Sequence, residues 1–359
     1  MRRLLPYLAL LFAIACGNAP NSQPAQPTRA AVGAPLGERL PSGSLIVVQG
    51  GQQRALLPDG RSIALAEPQQ GARGAPNGAY GVAFIPSGGT FDIALIDYSQ
   101  NPPAQREIPE GRGLINPVIL WQPDSSGFVF YDFPLIGNLS ALEALYYYRI
   151  SSGERRALLS ADQMGNQRAV ALAFSPNGMY LLYGTLREDS EAIGAQSGTG
   201  YLLNLLGGQP IALPEEALLG FSGWLGDSSG FLSLRDDPQT GRGYLTLYRL
   251  TQLAQPRRLS AESDNVTLAV SAPDGAQIAL ALRTAEGLSA LRVMAVDGSN
   301  GREIYRLPQG ENIIALFWAA PETIYFSTLG NSGERTWRIA PNGGTPTQVS
   351  EGVLRGVVR

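Results

Sequence analysis

Short apolar runs and tight polar turns alternate along almost the whole chain. The stretch ALAFSPNGMYLLYGT, residues 171–185, holds the unit in full: an apolar run, the turn Pro176-Asn177-Gly178, and a second apolar run. Such a pattern predicts two short antiparallel strands joined by a tight turn, in which Asn bonds its own backbone two residues on and Gly supplies positive φ. The unit recurs, with variation, at Pro76-Asn77-Gly78, Pro123-Asp124-Ser125, Gly226-Asp227-Ser228, Pro273-Asp274-Gly275 and Pro321-Glu322. Successive turns start 47, 53, 50, 47 and 48 residues apart.

A period near 50 filled with strands predicts a β-propeller and not a helical solenoid. After each turn comes a β-rich run, such as 80–85, 128–131, 180–183, 231–234, 278–282 and 324–327. A third run follows (145–150, 201–205, 244–250, 291–296), and a fourth, often beginning near Arg, ends the unit (155–159, 257–259, 302–307). Four strands make one blade. The ends complete the count: 45–49, 52–57 and 61–66 read as strands two, three and four of a blade without its first. Residues 353–358 read as a first strand without its blade. Pairing them in one sheet closes the ring and leaves no exposed edge. The expected fold is all-β, a single closed propeller of seven four-stranded blades over residues 43–359. The alternative is six blades, if 69–74 adds no strand.

Composition narrows the chemistry. The 359 residues include no His, and all 27 basic residues are Arg. Ser-His-Asp catalysis, His-ligated zinc and Schiff-base lysine chemistry are therefore excluded on this chain. A formal charge of −3 gives no nucleic-acid footprint. The single Cys, Cys16, makes no intrachain disulfide. We expect no catalytic residue, metal or cofactor, and a monomer.

The amino terminus has its own pattern. Arg2 and Arg3 precede an apolar segment, Leu4 to Ala15, and then Cys16. A basic start, a short apolar core and small residues before a cleavage point describe an export signal, residues 1–15. The segment is shorter than the roughly 20 residues a spanning helix needs. Residues 16–42 are rich in Pro, Gln, Ala and Asn and read as a flexible tether.

Two resemblances follow from these residues. The stretch Ala13-Ile14-Ala15-Cys16 resembles a bacterial lipoprotein signal, with Ala13 where Leu is usual. This implies lipid on Cys16, export, and attachment to a bacterial membrane through that lipid alone. The Pro-Asp-Gly turns with apolar or Trp lead-ins, as in Trp121-Gln122-Pro123-Asp124, resemble those of TolB-type, WD-repeat-like bacterial propellers. That resemblance implies a binding platform in the cell envelope for a protein, peptide or glycan. Gly226 in place of Pro, and Ala320-Pro321-Glu322-Thr323 without the turn Gly, depart from its pattern.

In such a propeller the first-to-second and third-to-fourth turns share one face. The second-to-third loops and blade connections share the other, and long loops on a rigid scaffold are where binding function concentrates. Blade 3 inserts 133–144, with apolar Phe133, Leu135 and Ile136. Blade 4 inserts 186–198, with Arg187, Glu188 and Asp189, and blade 5 inserts 235–242, with Arg235, Asp236 and Asp237. Every connection also carries an acid: Glu67, Glu110, Asp162, Glu215 with Glu216, Glu262 with Asp264, Glu311 and Glu351. Together these would focus negative potential at the channel mouth, although exposed loops are polar in any case. Two converging acids there would also suit a glycosidase or lyase, the alternative to a binding scaffold. Asp124, Asp227 and Asp274 read as turn-formers in preference to calcium ligands.

Overall fold

The computed structural model describes residues 40–41, 43–65, 73–100, 102–115, 117–132, 144–159, 167–187, 199–214, 217–218 and 220–357. They form seven four-stranded antiparallel sheets. Blade 1 comprises Val353–Val357, Leu45–Gln49, Gln52–Leu56 and Ser62–Ala64. Blade 2 comprises Arg73–Gly74, Tyr80–Ser87, Thr90–Asp97 and Ala104–Glu107. Blade 3 is Pro117–Trp121, Gly127–Asp132, Leu145–Arg149 and Arg155–Leu159. Blade 4 is Gln167–Phe174, Tyr180–Arg187, Gly200–Asn204 and Ile211–Ala212. Blade 5 is Phe221–Trp224, Gly230–Asp236, Gly243–Arg249 and Arg257–Arg258. Blade 6 is Val266–Ser271, Gln277–Arg283, Ser289–Ala295 and Arg302–Arg306. Blade 7 is Asn312–Ala320, Thr323–Gly330, Gly333–Ile339 and Thr347–Glu351.

The two uncertain points of the count are settled by pairing. Arg73 and Gly74 pair with Val82 and Gly81, so blade 2 has its first strand and the ring has seven blades. The closing strand pairs Val353 with Val48, Leu354 with Val47 and Val357 with Leu45. First strands of neighbouring blades touch one another across blades 3–4, 5–6, 6–7 and 7–1, which puts them on the inside of the ring.

Each blade is apolar on both faces, because each is sandwiched between two others. Blade 6 makes the point. In its second strand Ala279 and Ala281 pack against blade 7, with Trp318, Ile324 and Phe326. The alternate residues Ile278, Leu280 and Leu282 pack against blade 5, with Leu232, Leu245 and Leu247. That is why Gln277–Arg283 is buried at every position but its ends. Aromatic layers fill the same role between blades 2 and 3 (Phe128, Phe130, Tyr148) and between blades 4 and 5 (Trp224, Phe231, Tyr248). Among the described residues no helix is long and apolar enough to cross a membrane.

Candidate functional site: the loop-bearing face

The two ends of the ring are built differently. At the turn end, the side chains of Asn77, Asp124, Asn177, Asp227 and Asp274 each accept the backbone N–H two residues on, at 2.9–3.0 Å. The acids there are turn-formers. Neighbouring turns are then stitched together. The Asn77 N–H donates to Ser125 Oγ of blade 3 at 3.0 Å, and the Asn177 N–H to Ser228 Oγ of blade 5 at 3.1 Å. Both serines sit at positive φ, 60° and 63°, where blades 2, 4 and 6 use Gly. Gln122 joins blade 3 to blade 4, taking the Tyr147 hydroxyl at 2.6 Å and donating to the Gly178 carbonyl at 3.1 Å. The Gly226 departure also has its reason here. A Cβ at Gly226 would lie 2.2 Å from the Ala272 oxygen and 2.4 Å from the Pro273 oxygen, and the Gly226 N–H donates to Ser271 Oγ. Proline could supply neither the space nor the donor.

The opposite end carries the hairpins between second and third strands and the blade connections. Its most charged part spans blades 5 and 6. The blade 5 strands run further than the sequence pattern indicated: Arg235 and Asp236 are still paired, with Tyr244 and Gly243, so the loop proper is 237–242. The turn is made by Asp237, whose carboxylate accepts the N–H groups of Gln239 and Thr240. Those bonds, from Thr240 first, hold its pKa below the ordinary carboxylate value. Asp237 also faces Arg258 at 3.9 Å. Arg258 and Arg235 both lie over the Tyr244 ring, at 4.6 and 6.0 Å.

This hairpin is tied to the next connection by Arg242 to the Ser263 carbonyl and by the Gly243 N–H to Asn265 Oδ1. Beyond it opens a cleft of about 280 Å³ against blade 6, lined by Asp264, Arg283, Glu286, Arg292, Glu303 and Arg306 among others. Arg292 Nη1 sits 2.9 Å from both oxygens of Asp264, which is only 10% exposed. Arg306 meets Glu303 fork to fork at 2.9 Å. Glu286 is held below the ordinary carboxylate pKa chiefly by the Thr284 hydroxyl, and also by Arg306. Arg283 reaches Asn312 Oδ1, at the start of the first strand of blade 7, at 2.6 Å. The lining is three guanidiniums against three carboxylates, balanced in charge and fixed by mutual bonds. A second depression, of about 330 Å³, lies at the closing seam between blades 7 and 1, lined by Gln49, Glu334, Arg335 and Glu351 among others. Both depressions open on the loop end.

Of the residues singled out in the sequence, Arg235, Asp236 and Asp237 fall in this charged sector. Glu262 is exposed beside it, and Glu311 lies in the next connection. Glu351 accepts a hydrogen bond from Gln49 across the seam at 3.1 Å. Glu110 lies in the short 3₁₀ turn Pro109–Gly111, and Arg187 ends the second strand of blade 4. Cys16, Glu67, Phe133, Leu135, Ile136, Asp162, Glu188, Asp189, Glu215 and Glu216 lie outside the described residues. Asp264 of this cleft is among the acids singled out in the sequence, whereas Arg283, Glu286, Arg292, Glu303, Arg306 and Tyr244 escaped it. Their one signal is Arg283 at the end of a strand and Glu286 in the hairpin that follows it, which becomes informative only once the blade is folded against Asp264.

The molecule is thus a seven-bladed propeller with one end of cross-bonded turns and one clefted, charged end. No protein-family model matches its sequence. No curated protein matches it either. Solved structures do resemble it. Oligopeptidase B from Leishmania major aligns over 89% of this chain and 50% of its own, at 12% identity and a TM-score of 0.58. The β-propeller domain of the trilobed protease from Pyrococcus furiosus, described as an open velcro topology, aligns over 86% of this chain and 93% of its own, at 11% identity and a TM-score of 0.51. TolB from Acinetobacter baumannii aligns over 79% of this chain and 64% of its own, at 15% identity and a TM-score of 0.41. The chain therefore spans less than two thirds of that TolB and half of that oligopeptidase. At these identities the shared property is the fold.

Proposed function

We propose that this chain is an exported propeller, held to a bacterial membrane by lipid on Cys16, that binds an envelope protein, peptide or glycan through its loop-bearing end. The observation that carries the reading is the contrast between the ends. One consumes its Asp, Asn and Ser side chains in turns and blade-to-blade stitches. The other gathers both clefts and the pre-set charges of blades 5 and 6. Rigid, already-paired polar groups cost little ordering when a ligand arrives, which suits recognition. The export pattern of Arg2, Arg3, Leu4 to Ala15 and Cys16 supports the location.

Two measurements test it. Cys16→Ala should move the exported protein from the membrane fraction to the soluble one, and continued membrane retention would remove the anchor from the reading. A photo-crosslinker placed at Glu286 should capture an envelope component in intact cells, whereas one at Asp297, on the turn end, should not. Equal capture from both ends would remove the assignment of the binding face.

A further inference from the structure

We infer that Asn300 is a site of spontaneous, structure-directed modification, converting to aspartate and isoaspartate by reaction with water alone. The chain has four Asn-Gly pairs: Asn77-Gly78, Asn177-Gly178, Asn300-Gly301 and Asn342-Gly343. Glycine after Asn leaves the backbone nitrogen unshielded, so all four share the same local chemistry. The fold separates them.

In the reaction the Gly nitrogen, having lost its proton to hydroxide, attacks the Asn Cγ. A nitrogen–Cγ bond forms, the side-chain carbon–nitrogen bond breaks, and ammonia leaves. Water then opens the five-membered imide at either carbonyl, leaving aspartate or isoaspartate. No electrons are exchanged. The step needs a side-chain amide free to turn, a following N–H that is not donating, and a backbone that can leave its native conformation.

Asn77 and Asn177 fail on the first two counts. Their Oδ1 atoms accept the N–H groups of Ala79 and Met179 at 3.0 Å, and Asn177 also takes the Ser175 hydroxyl at 2.7 Å. The Gly78 and Gly178 N–H groups donate to Ala75 and Ser175 at 2.9 and 2.8 Å. Asn342 has an untethered side chain, but the Gly343 N–H donates to Ala340 at 2.9 Å. The Asn342 carbonyl is also held, by Arg302 at 2.9 Å.

Asn300 differs on every count. It is exposed, and among the described residues neither its side chain nor the Gly301 N–H has a hydrogen-bond partner. Its φ is +55°, a left-handed conformation that Asn tolerates better than most side-chain-bearing residues but that nothing else in the turn enforces. Ser125 and Ser228 share that conformation but are held by bonds from the neighbouring blade. Nothing comparable holds Asn300. Having to break one tether slows reaction by a factor of about five, so the doubly tied Asn77 should trail Asn300 by about 25-fold and the triply tied Asn177 by about 125-fold. Asn342 should fall between Asn300 and Asn77.

The modification would add a negative charge, and for isoaspartate an extra main-chain atom, to the third-to-fourth turn of blade 6. That turn packs on blade 5, with Gly298 against Leu259 and Asp297 facing Arg257.

The experiment is timed incubation of the folded, full-length protein at mildly alkaline pH, followed by peptide mapping. Cleavage after Arg puts the four pairs in four different peptides, Asn300 lying in 293–302. The amide-to-acid mass shift should appear first in 293–302, and Gly301→Ala should slow it while leaving the fold intact. In urea all four peptides should shift at similar rates. The inference is overturned if the folded protein shifts at Asn77, Asn177 or Asn342 as fast as at Asn300. It is equally overturned if 293–302 stays unmodified while the unfolded protein reacts throughout.

Discussion

At the scale of single residues, the tightest constraint is Gly226. The carbonyls of Ala272 and Pro273 occupy the place a side chain would need, and its N–H is already committed to Ser271. Gly226→Pro, which would restore the turn to the form of its sister repeats, should destabilise the protein by about 3 kcal/mol, measured by urea unfolding. The acids that make turns set a second expectation. Asp297 is held below the ordinary carboxylate pKa by the Ser299 hydroxyl and N–H. At Asp97 burial pushes upward but is outweighed by Ser99 and Gln100. A group whose folded pKa is depressed contributes stability above its unfolded pKa of about 3.9 and loses it as pH falls through the lower folded value. The melting temperature should therefore stay level from neutrality to about pH 5 and drop below about pH 4. Replacing Asp97 and Asp297 by Asn should lower it slightly at pH 7, where the carboxylates' added stability is lost, and flatten the acid limb, while Asn77 and Asn177 show that an amide still makes the turn bond. An unaltered acid limb would acquit these two turns. The turn residues were legible in the sequence because their chemistry is local. The reason for Gly226 was not, because it lies in a turn 47 residues away.

At the scale of elements, a repeated arginine joins the blades along their outer strands. Arg106 of blade 2 reaches the Ile150 carbonyl of blade 3 at 3.3 Å, and Arg156 of blade 3 reaches the Leu205 carbonyl of blade 4 at 2.7 Å. Arg302 of blade 6 grips the Pro341 and Asn342 carbonyls of blade 7 at 2.8 and 2.9 Å. Each guanidinium comes from a fourth strand and meets the third-to-fourth turn of the next blade. Arg302→Ala should cost about 1 kcal/mol in unfolding free energy, and Arg302→Lys should recover little of it, since one ammonium cannot span two carbonyls with a planar fork. Full recovery by Lys would mean that charge alone matters. In the sequence Arg302 reads only as a marker of where a fourth strand begins, and Arg106 and Arg156 stand out in no way. Strand periodicity reports which face of a sheet is apolar, and it carries no information on what a long polar side chain meets on the neighbouring sheet. The short outer strands were the hardest to delimit for a related reason. Ile211–Ala212 and Arg257–Arg258 are two residues each, too brief for an alternating pattern to declare itself.

At the scale of the whole molecule, the period of the turns and the leftover strands at the two ends were enough to give seven blades and their closure, because both follow from the need of every sheet edge to find a partner. The working end was only partly legible: loop positions follow from topology, whereas the charge pairs of blade 6 depend on which side chains converge after folding. The closing strand buries Val353 and Leu354 and is tied in further by the Leu354 N–H to Ser327 Oγ, which itself pairs with Thr336. Deleting residues 352–359 should remove more than about 5 kcal/mol and abolish a cooperative thermal transition, since a domain has only about 5–15 kcal/mol in all. An unchanged melting curve would refute closure by this strand. The same strand imposes a delay. Its pairing of Val48 with Val353 joins residues about 300 positions apart, and at about 5–20 residues per second a ribosome takes about 15–60 s to make that length. Throughout that interval the edge of Leu45–Gln49 has no native partner to pair with, so blade 1 is the last piece of the ring that can form. If the chain is exported as proposed, crossing a membrane as an unfolded thread, a fold that cannot finish early would give the export machinery time to engage it first.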